Sequence, residues 1–475
     1  MLLSELTKRL NFIPENDVNL TNITDKLDLV QSGSVFVCIE GKRFDGHNNA
    51  LAAKEKGAKA FVVSRDLGLE NQILCENTRE IYAKLAAAFY GYPAEKLKLI
   101  GITGTNGKTS TAIMLKQLFD FCGIKSGLIG TVKNMIGDRE YPSALTTPEY
   151  TDLQKLFAEM VDAGCEYCIM EVSSQALAQK RVAGTRFNLG IFTNLTRDHL
   201  DYHGTMENYA AAKSELFRMC DIGLINSDSD YSDYMIKNAT CNLVRFGQNS
   251  ADITAKNVKL HNDGISYTLA TKAGEFEISL PVPGDFTVYN SLGAVAAALE
   301  CSISARDIAQ NVQKITGVKG RIEVVSLNTP FTVIIDYAHT PDGLENILSS
   351  VRRFASGRIL TVFGCGGDRD ATKRPIMGKI AAEMSDIVFV TSDNPRSENP
   401  EKIIEDILNG IENRENIRVN SDRRSAIRDA MLEAKKDDIV LLAGKGHETY
   451  QILSTGKIHF DEREVAAKIA ADFVR

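Results

Sequence analysis

The stretch Leu97-Lys-Leu-Ile-Gly-Ile-Thr-Gly-Thr-Asn-Gly-Lys-Thr109 decides the fold of the central part of this chain. Its apolar first half predicts a buried strand, and a helix is predicted to begin near Lys108. The glycines between them let backbone N–H groups turn inward around phosphate oxygens, and the helix amino terminus adds partial positive charge. Lys108 can reach the β- and γ-phosphates, and the Thr109 hydroxyl suits Mg²⁺. The segment predicts a phosphate loop, with Ile102 in place of the first glycine of the strict pattern.

On both sides of this loop, apolar strands alternate with helical stretches, which predicts mostly parallel sheets covered by helices. At 475 residues the chain is long enough for about three domains. We predict an α/β protein with an N-terminal domain over residues 1–95, a central P-loop-type domain over 96–320 and a C-terminal Rossmann-like domain over 321–475. Residues 252–286 alternate apolar and polar side chains around Asn262-Asp-Gly264, which predicts an antiparallel insert.

The predicted elements follow from periodicity and turn residues. The strands are Ser34–Ile39, Ala60–Val63, Leu97–Ile102, Tyr167–Val172, Leu189–Phe192, Val333–Ile335, Ile359–Phe363, Ile387–Val390 and Ile439–Leu442. The helices include Ala50–Lys56, Val288–Leu299 and Pro375–Met384.

Composition limits the class of protein. A net charge of −7 argues against a nucleic-acid partner, which usually requires a basic face. The first ten residues lack the apolar stretch of a signal peptide, and Val288–Leu299 is too short to cross a bilayer. The nine cysteines show no framework spacing, so Cys165 and Cys168 are expected to be small buried side chains. We expect a cytoplasmic monomer without membrane insertion.

The phosphate loop closely resembles the ATP loop of the Mur ligases and their folylpolyglutamate synthetase relatives, and further motifs match in order along almost the whole chain. The resemblance implies an ATP-dependent ligase that forms a C–N bond. The γ-phosphoryl group of ATP is transferred to a carboxylate, and an amine attacks the resulting acyl phosphate. Cations and metal ions should dominate such catalysis. The implied ATP contacts in the loop are Gly104, Thr105, Asn106, Gly107, Lys108, Thr109 and Ser110.

Other matching motifs imply catalytic and metal-binding residues. Glu171 lies at the carboxyl end of a predicted strand, where its oxygens could hold Mg²⁺. His199, in the segment Asn194–Gly204, is the implied second ligand, whereas a structural hydrogen bond explains His203 equally well. Lys213 matches the lysine that the family carbamylates to N6-carboxylysine. The resemblance thus implies Lys108, Glu171, His199 and Lys213 as catalytic residues, and Thr109, Glu171, His199 and Lys213 as magnesium ligands.

The remaining ATP contacts are implied further along the chain. The segment Pro283-Gly-Asp-Phe-Thr-Val-Tyr-Asn290 resembles the family's Gly-x-Phe-Asn-x-x-Asn element, with Thr287 in place of its first Asn. Asn290 is the implied adenine contact, because an amide can donate to and accept from a base edge. Arg321 would face the ATP phosphates and Asp336 the ribose hydroxyls. His339 is a weaker candidate for the same site.

The segment Asp393-Asn-Pro-Arg-Ser-Glu398 resembles the motif of family members that add meso-diaminopimelate. Arg396 can pair with the distal carboxylate of that amino acid through two hydrogen bonds, a geometry unavailable to lysine. Arg369 would meet a second carboxylate, and Glu448 the distal ammonium. The implied amino-acid site comprises Arg369, Asp393, Asn394, Pro395, Arg396, Gly444 and Glu448.

Positions matching those that hold the UDP-muramoyl dipeptide are Thr146, Thr147, Ser173 and Arg181. Two departures occur: Gln175 replaces a histidine that is frequent in the family, and Lys26-Leu-Asp28 replaces the Asp-Ser-Arg motif of uridine recognition. Asp45-Gly-His47 is kept.

The expected reaction adds meso-diaminopimelate to the D-glutamate of UDP-N-acetylmuramoyl-L-alanyl-D-glutamate in peptidoglycan synthesis, with ATP and Mg²⁺. One alternative is a ligase that adds L-lysine or LL-diaminopimelate. A folylpolyglutamate synthetase would not explain Asp393–Arg396 or the N-terminal segment. A non-catalytic nucleotide-binding paralogue is supported only by Lys26-Leu-Asp28.

Overall fold

The computed structural model describes residues 1–10, 12–41 and 44–473. The described chain forms two compact units, Met1–Thr254 with Leu292–Ser304, and Ala255–Ser291 with Ala305–Arg475. The fold is α/β with three domains, as predicted, and its sheets are mostly parallel. The predicted boundaries at residues 95 and 320 stay a prediction.

The N-terminal domain contains a four-stranded parallel sheet in the order β1-β2-β3-β4. Its strands are β1 (Asn22–Thr24), β2 (Ser34–Val37), β3 (Ala58–Val63) and β4 (Gln72–Leu74), and its helices are α1 (Leu3–Leu6), α2 (Ala50–Glu55) and α3 (Thr78–Phe89). The predicted strand Ser34–Ile39 ends two residues early, at Val37. One core of this domain packs α1 and α3 on the sheet through Leu3, Leu85 and Val62.

The central sheet of the first unit carries the phosphate loop. Its strands are β5 (Lys98–Thr103), β6 (Ser126–Ile129), β7 (Lys133–Ile136), β8 (Arg139–Pro142), β9 (Tyr167–Glu171), β10 (Phe187–Phe192), β11 (Cys220–Asn226) and β12 (Asn242–Gly247). Its helices are α4 (Lys108–Phe121), α5 (Tyr150–Asp162), α6 (Ser174–Ala178), α7 (Leu200–His203), α8 (Met206–Ser214) and α9 (Ser232–Asn238). The order is β12-β11-β10-β5-β9-β6-β7-β8, with β7 and β8 antiparallel.

Strand β5 lies between β10 and β9 and runs parallel to both. It is buried on both faces, which explains why its apolar residues form a nearly continuous run rather than alternating with polar ones. Because parallel strands end at the same edge of a sheet, the segments after β9 and β10 flank the loop that follows β5. This arrangement positions the site.

The division between the two units passes through β13 (Ile253–His261) and α10 (Asp285–Glu300). Strands β14 (Gly264–Thr271) and β15 (Gly274–Leu280) pair antiparallel, and β13 ends two residues before β14, so the predicted turn at Asn262 and Asp263 is confirmed. The antiparallel insert is therefore confirmed, although the first residues of β13 pair parallel with β12.

The C-terminal domain has a six-stranded sheet in the order β16-β17-β21-β18-β19-β20, parallel except for β16. The strands are β16 (Glu323–Val325), β17 (Thr332–Asp336), β18 (Ile359–Phe363), β19 (Ile387–Val390), β20 (Ile417–Val419), β21 (Ile439–Ala443) and the hairpin β22 (Tyr450–Leu453) and β23 (Gly456–His459). The helices of this region are α11 (Ala305–Val312), α12 (Pro341–Phe354), α13 (Lys373–Met384), α14 (Pro400–Leu408), α15 (Arg423–Glu433) and α16 (Glu462–Phe473).

Two apolar cores lie on opposite faces of this sheet, since alternate residues of one strand enter different cores. Ile334 packs with α12, α13 and α14, whereas Val333 packs with α15 and α16. The doubly wound arrangement brings the carboxyl ends of β17, β21, β18 and β19 side by side. Three of the predicted amino-acid-binding segments follow these strands.

The described ranges contain no helix that combines the length and the apolar character needed to cross a membrane. Cys165 and Cys168 are buried, as expected, and all nine cysteines are free thiols.

Candidate active site

The path of the phosphate loop requires glycine at two positions. Gly104 has a φ of +152°, and Gly107, which immediately precedes α4, has a φ of +85°. A Cβ atom on Gly104 would lie 1.9 Å from Oγ1 of Thr193, so a larger residue cannot fit there. The glycines that predicted a phosphate loop therefore also allow it to pass close to the segment after β10.

That neighbouring segment braces the loop through Asn194. The Thr105 N–H donates to the Asn194 carbonyl oxygen at 2.9 Å, and the Asn106 N–H donates to Oδ1 of Asn194 at 3.0 Å. The Thr193 hydroxyl donates to the Asn106 carbonyl oxygen at 2.6 Å. Thr193 and Asn194 thus fix the loop conformation, a role that the sequence alone did not reveal.

Lys108 folds back over the loop. Its Nζ donates to the carbonyl oxygens of Gly104, at 2.9 Å, and Thr105, at 2.8 Å. Ser110 lies half-buried in the first turn of α4. The seven predicted loop residues therefore form one continuous structure at the amino terminus of a helix, where an anion is stabilised.

Glu171 ends β9 beside the loop, and its side chain is 1% exposed. Its carboxylate accepts hydrogen bonds from the Thr109 hydroxyl at 2.9 Å, the Thr131 N–H at 2.8 Å and the Thr131 hydroxyl at 3.0 Å. A Cβ on Gly130 would lie 2.5 Å from Oε1 of Glu171, so Gly130 lets the segment after β6 approach closely. Thr131 holds the carboxylate and Gly130 leaves room for it, and both were missed by the sequence analysis.

The pair Thr109 and Glu171 fits a magnesium ion. A hydroxyl and a carboxylate oxygen are the hard ligands that Mg²⁺ prefers, and Oγ1 of Thr109 and Oε2 of Glu171 lie together at 2.9 Å, so these two residues would hold the ion. Within the described residues, no group of three or more His, Cys, Asp or Glu side chains is arranged to hold a metal. The further ligands that the resemblance implies are His199 and Lys213.

Lys213 lies in α8 and is 1% exposed. Its Nζ donates to the Gly104 carbonyl oxygen at 2.7 Å and lies 4.4 Å from the centre of the Tyr209 ring. Burial, reinforced by the charge of Lys108, lowers the pKa of the Lys213 ammonium well below its usual value, and Asp198 partly opposes the shift. The structure brings Lys213 to the phosphate loop, as the resemblance implied.

Tyr209 connects several predicted residues, although it was not predicted itself. Its ring stacks on His203 at 5.0 Å and meets the edge of the His199 ring at 6.0 Å, while its hydroxyl lies 3.1 Å from Oγ1 of Thr105. His203 also forms a hydrogen bond with the Ser174 hydroxyl at 2.9 Å, which agrees with the structural interpretation of this histidine. The spacing of four residues between Tyr209 and Lys213, on one helix face, was the available sequence signal.

His199, the implied second magnesium ligand, lies in the segment after β10. It precedes α7, is exposed and has a left-handed φ of 52°. Its Nε2 lies 3.5 Å from Oδ2 of Asp198. The structure thus brings Thr109 and Glu171 into contact, and it brings His199 and Lys213 each beside the Tyr209 ring.

The four residues assigned to the UDP-muramoyl dipeptide lie together beyond Glu171. Thr147 donates to the Glu171 carbonyl oxygen at 2.9 Å and accepts the Ser173 N–H at 3.0 Å, while Nη1 of Arg181 donates to the Thr147 carbonyl oxygen at 2.8 Å. Oγ1 of Thr146 lies 3.0 Å from Oγ1 of Thr131. One hydrogen-bonded surface therefore links the acceptor residues to the carboxylate beside the phosphate loop.

The N-terminal residues considered for uridine recognition have a different character. Lys26 and Asp28 are exposed around a short 3-10 helix. His47 is buried, with Nδ1 at 2.6 Å from Oδ1 of Asp45 and Nε2 accepting the Ser64 N–H at 3.0 Å. The Arg65 guanidinium beside Asp45 holds the pKa of that carboxyl well below its usual range. Asp45 and His47 therefore stabilise the loop after β2.

The second unit contains the other predicted ATP contacts. Asn290 is buried in α10, and Arg321 is exposed. The Asp336 carboxylate accepts the N–H groups of Ile322 at 2.8 Å and Ala338 at 2.9 Å. Burial raises the pKa of Asp336, and the two N–H donors oppose this rise because they stabilise the carboxylate. His339 is exposed, and its Nδ1 lies 2.9 Å from the Tyr337 carbonyl oxygen.

The loop after β19 carries Arg396 in a fixed geometry. Arg396 has a left-handed φ of 55°, its N–H donates to the Ile452 carbonyl oxygen at 3.0 Å, and its Nη1 donates to the Gly367 carbonyl oxygen at 2.8 Å. A Cβ on Gly367 would lie 2.0 Å from the Pro395 carbonyl oxygen. The glycines after β18 therefore let two predicted segments meet. Arg369, on the same loop, is exposed.

Lys445 joins the segments after β19 and β21. It is 0% exposed, and its Nζ donates to Oδ1 of Asp393 at 3.2 Å, Oδ1 of Asn394 at 3.1 Å and Oε2 of Glu448 at 3.2 Å. Asn394 also donates through Nδ2 to Oε2 of Glu448 at 2.9 Å. The predicted residues Asp393, Asn394 and Glu448 thus form one cluster around a lysine that was not predicted.

Three family models match the chain in order. They are the Mur ligase family catalytic domain over residues 28–90, the Mur ligase middle domain over 102–298 and the Mur ligase glutamate ligase domain over 320–446. UDP-N-acetylmuramoyl-L-alanyl-D-glutamate–2,6-diaminopimelate ligase 1 of Clostridium acetobutylicum is 47% identical over 95% of both chains. The corresponding ligase of Clostridium botulinum is 45% identical over 97% of both chains.

The chain belongs to the Mur ligase family. A solved structure of a UDP-N-acetylmuramoyl-L-alanyl-D-glutamate–2,6-diaminopimelate ligase matches this Mur ligase over 100% of both chains, with a TM-score of 0.80 and 29% identity. This Mur ligase is an ATP-dependent enzyme that forms a C–N bond. The phosphate loop and its bracing segment lie within the matched middle domain.

Proposed function

We propose that this Mur ligase adds meso-diaminopimelate to the D-glutamate of UDP-N-acetylmuramoyl-L-alanyl-D-glutamate, with ATP, in peptidoglycan synthesis. The observation that carries the proposal is the cluster in the C-terminal domain. Arg396 and Glu448 there offer a cation and an anion on two sides of one residue, Asn394: Glu448 accepts from its side-chain amide, and Arg396 donates to its backbone carbonyl oxygen. The distal head of diaminopimelate carries a carboxylate and an ammonium, and therefore suits this pair.

The phosphoryl-transfer half of the reaction would use the phosphate loop. The γ-phosphoryl group passes from ATP to the D-glutamate carboxylate, which gives ADP and an acyl phosphate. The Lys108 ammonium and the amino terminus of α4 would stabilise the negative charge on the transferring group. Gly104 to Ser110 would hold the phosphates, with Asn290, Arg321 and Asp336 as the remaining ATP contacts.

In the second half, the amine of the incoming amino acid attacks the acyl carbon, phosphate leaves, and a proton is lost from the nitrogen. Thr146, Thr147, Ser173 and Arg181 would position the dipeptide, since they form one surface beside Glu171. Arg369, Asp393, Asn394, Pro395, Arg396, Gly444 and Glu448 would hold the amino acid. Exposed Arg369 can reach the second carboxylate by changing rotamer.

Magnesium would be held by Thr109 and Glu171, with His199 and Lys213 as further predicted ligands. When bound, it would neutralise charge on the phosphate oxygens. For Lys213 to become a metal ligand, its nitrogen must first add CO₂ to form a carbamate. The support for N6-carboxylysine is the burial of Lys213 at the loop and its match to the family motif. A cytoplasmic, monomeric enzyme is part of the proposal.

The alternative functions are addition of another amino acid and nucleotide binding without catalysis. A lysine-adding enzyme would have no distal carboxylate for Arg396 to bind, which makes that assignment less favourable, whereas LL-diaminopimelate offers the same groups as the meso isomer. A non-catalytic paralogue is disfavoured by the arrangement of Lys108, Thr109 and Glu171, which offers the contacts that phosphoryl transfer needs.

The experiment is a phosphate-release assay with UDP-N-acetylmuramoyl-L-alanyl-D-glutamate, ATP and a panel of amino acids. We expect release that depends on both the dipeptide and meso-diaminopimelate, with a ligated product of the corresponding mass. A preference for L-lysine would overturn the assignment of the amino acid. ATP binding without product for any amino acid would favour the paralogue.

A further inference from the structure

We propose that Lys445 is a positioning residue that sets the specificity of the amino-acid site by fixing Asn394 and Glu448. This inference rests on the proposed function, because it assumes that these two side chains contact the incoming amino acid. It adds a residue for which neither the sequence motif nor the resemblance implied a role.

The first step is the burial of Lys445. Lys445 is 0% exposed, although it lies in a glycine-rich segment where a lysine would ordinarily point into solvent. A buried ammonium is stabilised only when acceptors replace its lost hydration. Asp393, Asn394 and Glu448 supply three acceptors at 3.1–3.2 Å. These three partners thus fix the position of Lys445, and Lys445 in turn fixes the positions of their side chains.

The second step concerns the Asn394 amide. Its Oδ1 accepts from both Lys445 and the Ile452 N–H, at 3.1 and 3.0 Å. Its Nδ2 donates to Oε2 of Glu448 at 2.9 Å. Because lysine has only donors, it can contact only the oxygen side of the amide. Lys445 and the Ile452 N–H together therefore fix the side of Asn394 that faces Glu448.

The third step concerns charge. Without the Lys445 ammonium, the Asp393 and Glu448 carboxylates would lose the cation that both of them contact. The substrate must place a carboxylate at Arg396, and two uncompensated negative charges would oppose that placement. Lys445 therefore favours carboxylate binding indirectly, without contacting the amino acid.

Lys445→Met tests the proposal, since methionine keeps much of the volume and removes the charge. We expect the KM for meso-diaminopimelate to rise about 10- to 100-fold, the loss expected when hydrogen bonds to charged groups are removed. The kcat and the KM for ATP should change by less than about threefold, because the phosphate loop lies on other elements. Lys116→Met is the matched control: Lys116 is also buried and paired, with Asp120 at 2.5 Å, but in α4. It should leave the KM for diaminopimelate unchanged.

A double-mutant cycle with Glu448→Gln distinguishes positioning from a purely structural role. If Lys445 acts through Glu448, its substitution should matter little once Glu448 is already changed. The kcat/KM of the double variant should then lie within about threefold of that of Glu448→Gln alone. The double variant also lacks the Glu448 charge and leaves Asp393 as the remaining carboxylate of this pair, so it should be less destabilised than Lys445→Met and can be compared directly with Glu448→Gln.

Three results would overturn the inference: an unchanged KM for diaminopimelate in Lys445→Met, a uniform loss for all substrates together with a lowered melting temperature, or independent effects in the cycle. Wild-type enzyme that ligates another amino acid would correct the proposed function instead, and Lys445→Met would then be measured with that amino acid. Wild-type enzyme that ligates none would remove the proposed function itself.

Discussion

Each of the two units buries a lysine at the carboxyl edge of a parallel sheet, but the surroundings of the two lysines differ. Lys213, in the first unit, meets a carbonyl oxygen and an aromatic ring, and the neighbouring Lys108 repels its charge. Lys445, in the second unit, meets two carboxylates and an amide oxygen. Both side chains are almost completely buried, so their surroundings differ in the groups that each lysine contacts.

The comparison suggests how one residue type can serve two purposes. Among carbonyls and a second cation, the charged form of lysine is disfavoured, so the nitrogen of Lys213 is suited to chemistry. Lys445 instead contacts two carboxylates and an amide oxygen, and these contacts hold it among the side chains that it organises. The first region is arranged for reaction and the second for recognition. Substitutions that separate these two roles test the comparison.

The largest effect is expected for Lys108→Ala, which removes the mobile cation of the reaction region. Ligation should fall by about 10³- to 10⁵-fold, the range associated with removing a cation that stabilises a transferring phosphoryl group. The fold should remain intact, because Lys108 is only half-buried and its two Nζ contacts are to loop carbonyls. Steady-state phosphate release and a melting curve would measure both quantities. Near-normal turnover with normal ATP affinity would contradict the assignment.

Arg396→Ala should affect recognition rather than reaction. Breaking the pair with a distal carboxylate costs on the order of 2–5 kcal/mol, which is roughly thirty- to several-thousand-fold in kcat/KM for diaminopimelate. ATP affinity should change little. The kcat/KM for L-lysine should fall much less, because L-lysine lacks the distal carboxylate. A competition assay with both amino acids measures the selectivity ratio, and an unchanged ratio would exclude Arg396 from the specificity site.

Lys213→Ala should lower ligation by roughly 10²-fold, since a group that stabilises charge in the transition state is lost. Small carboxylates such as acetate or formate should partly restore activity by replacing the carbamate. In the wild-type enzyme, ¹³C-labelled bicarbonate should give a carbamate carbon signal that Lys213→Ala lacks. Full activity of the variant together with no labelled signal in the wild type would exclude the modification and leave Lys213 as a structural amine.

The sequence predicted these two regions unequally. The apolar run of β5 and the glycines of the loop are local signals, and they gave the strand, the helix start and seven contiguous site residues. Thr131 was missed because its partner Glu171 is 40 residues away, and Lys445 because Asp393 and Asn394, which bury it together with nearby Glu448, are 52 and 51 residues away. Strand order is similarly non-local, since β21 inserts between β17 and β18. Periodicity identifies strands but does not specify their neighbours.

Tyr209→Phe should change activity least. It tests how Tyr209, which lies beside Lys213 where Lys445 has carboxylates, contributes to the surroundings of Lys213. The substitution keeps the ring that stacks on His203 and lies 4.4 Å from Nζ of Lys213, and removes the hydroxyl that lies 3.1 Å from Oγ1 of Thr105. The hydrogen bond that Tyr209→Phe removes joins two neutral groups and contributes about 0.5–1.5 kcal/mol. The kcat/KM of this variant for ATP should therefore fall roughly 2- to 12-fold. Tyr209→Leu removes the ring as well, and its loss in kcat/KM should be larger, because the ring no longer packs on His203 or lies beside the Lys213 nitrogen. Kinetics with ATP varied, and carbamate labelling of both variants, would separate the two contributions: Tyr209→Phe should keep the labelled signal, and Tyr209→Leu should weaken it. Equal losses in both variants would mean that the hydroxyl alone matters, and that the ring does not set the environment of Lys213.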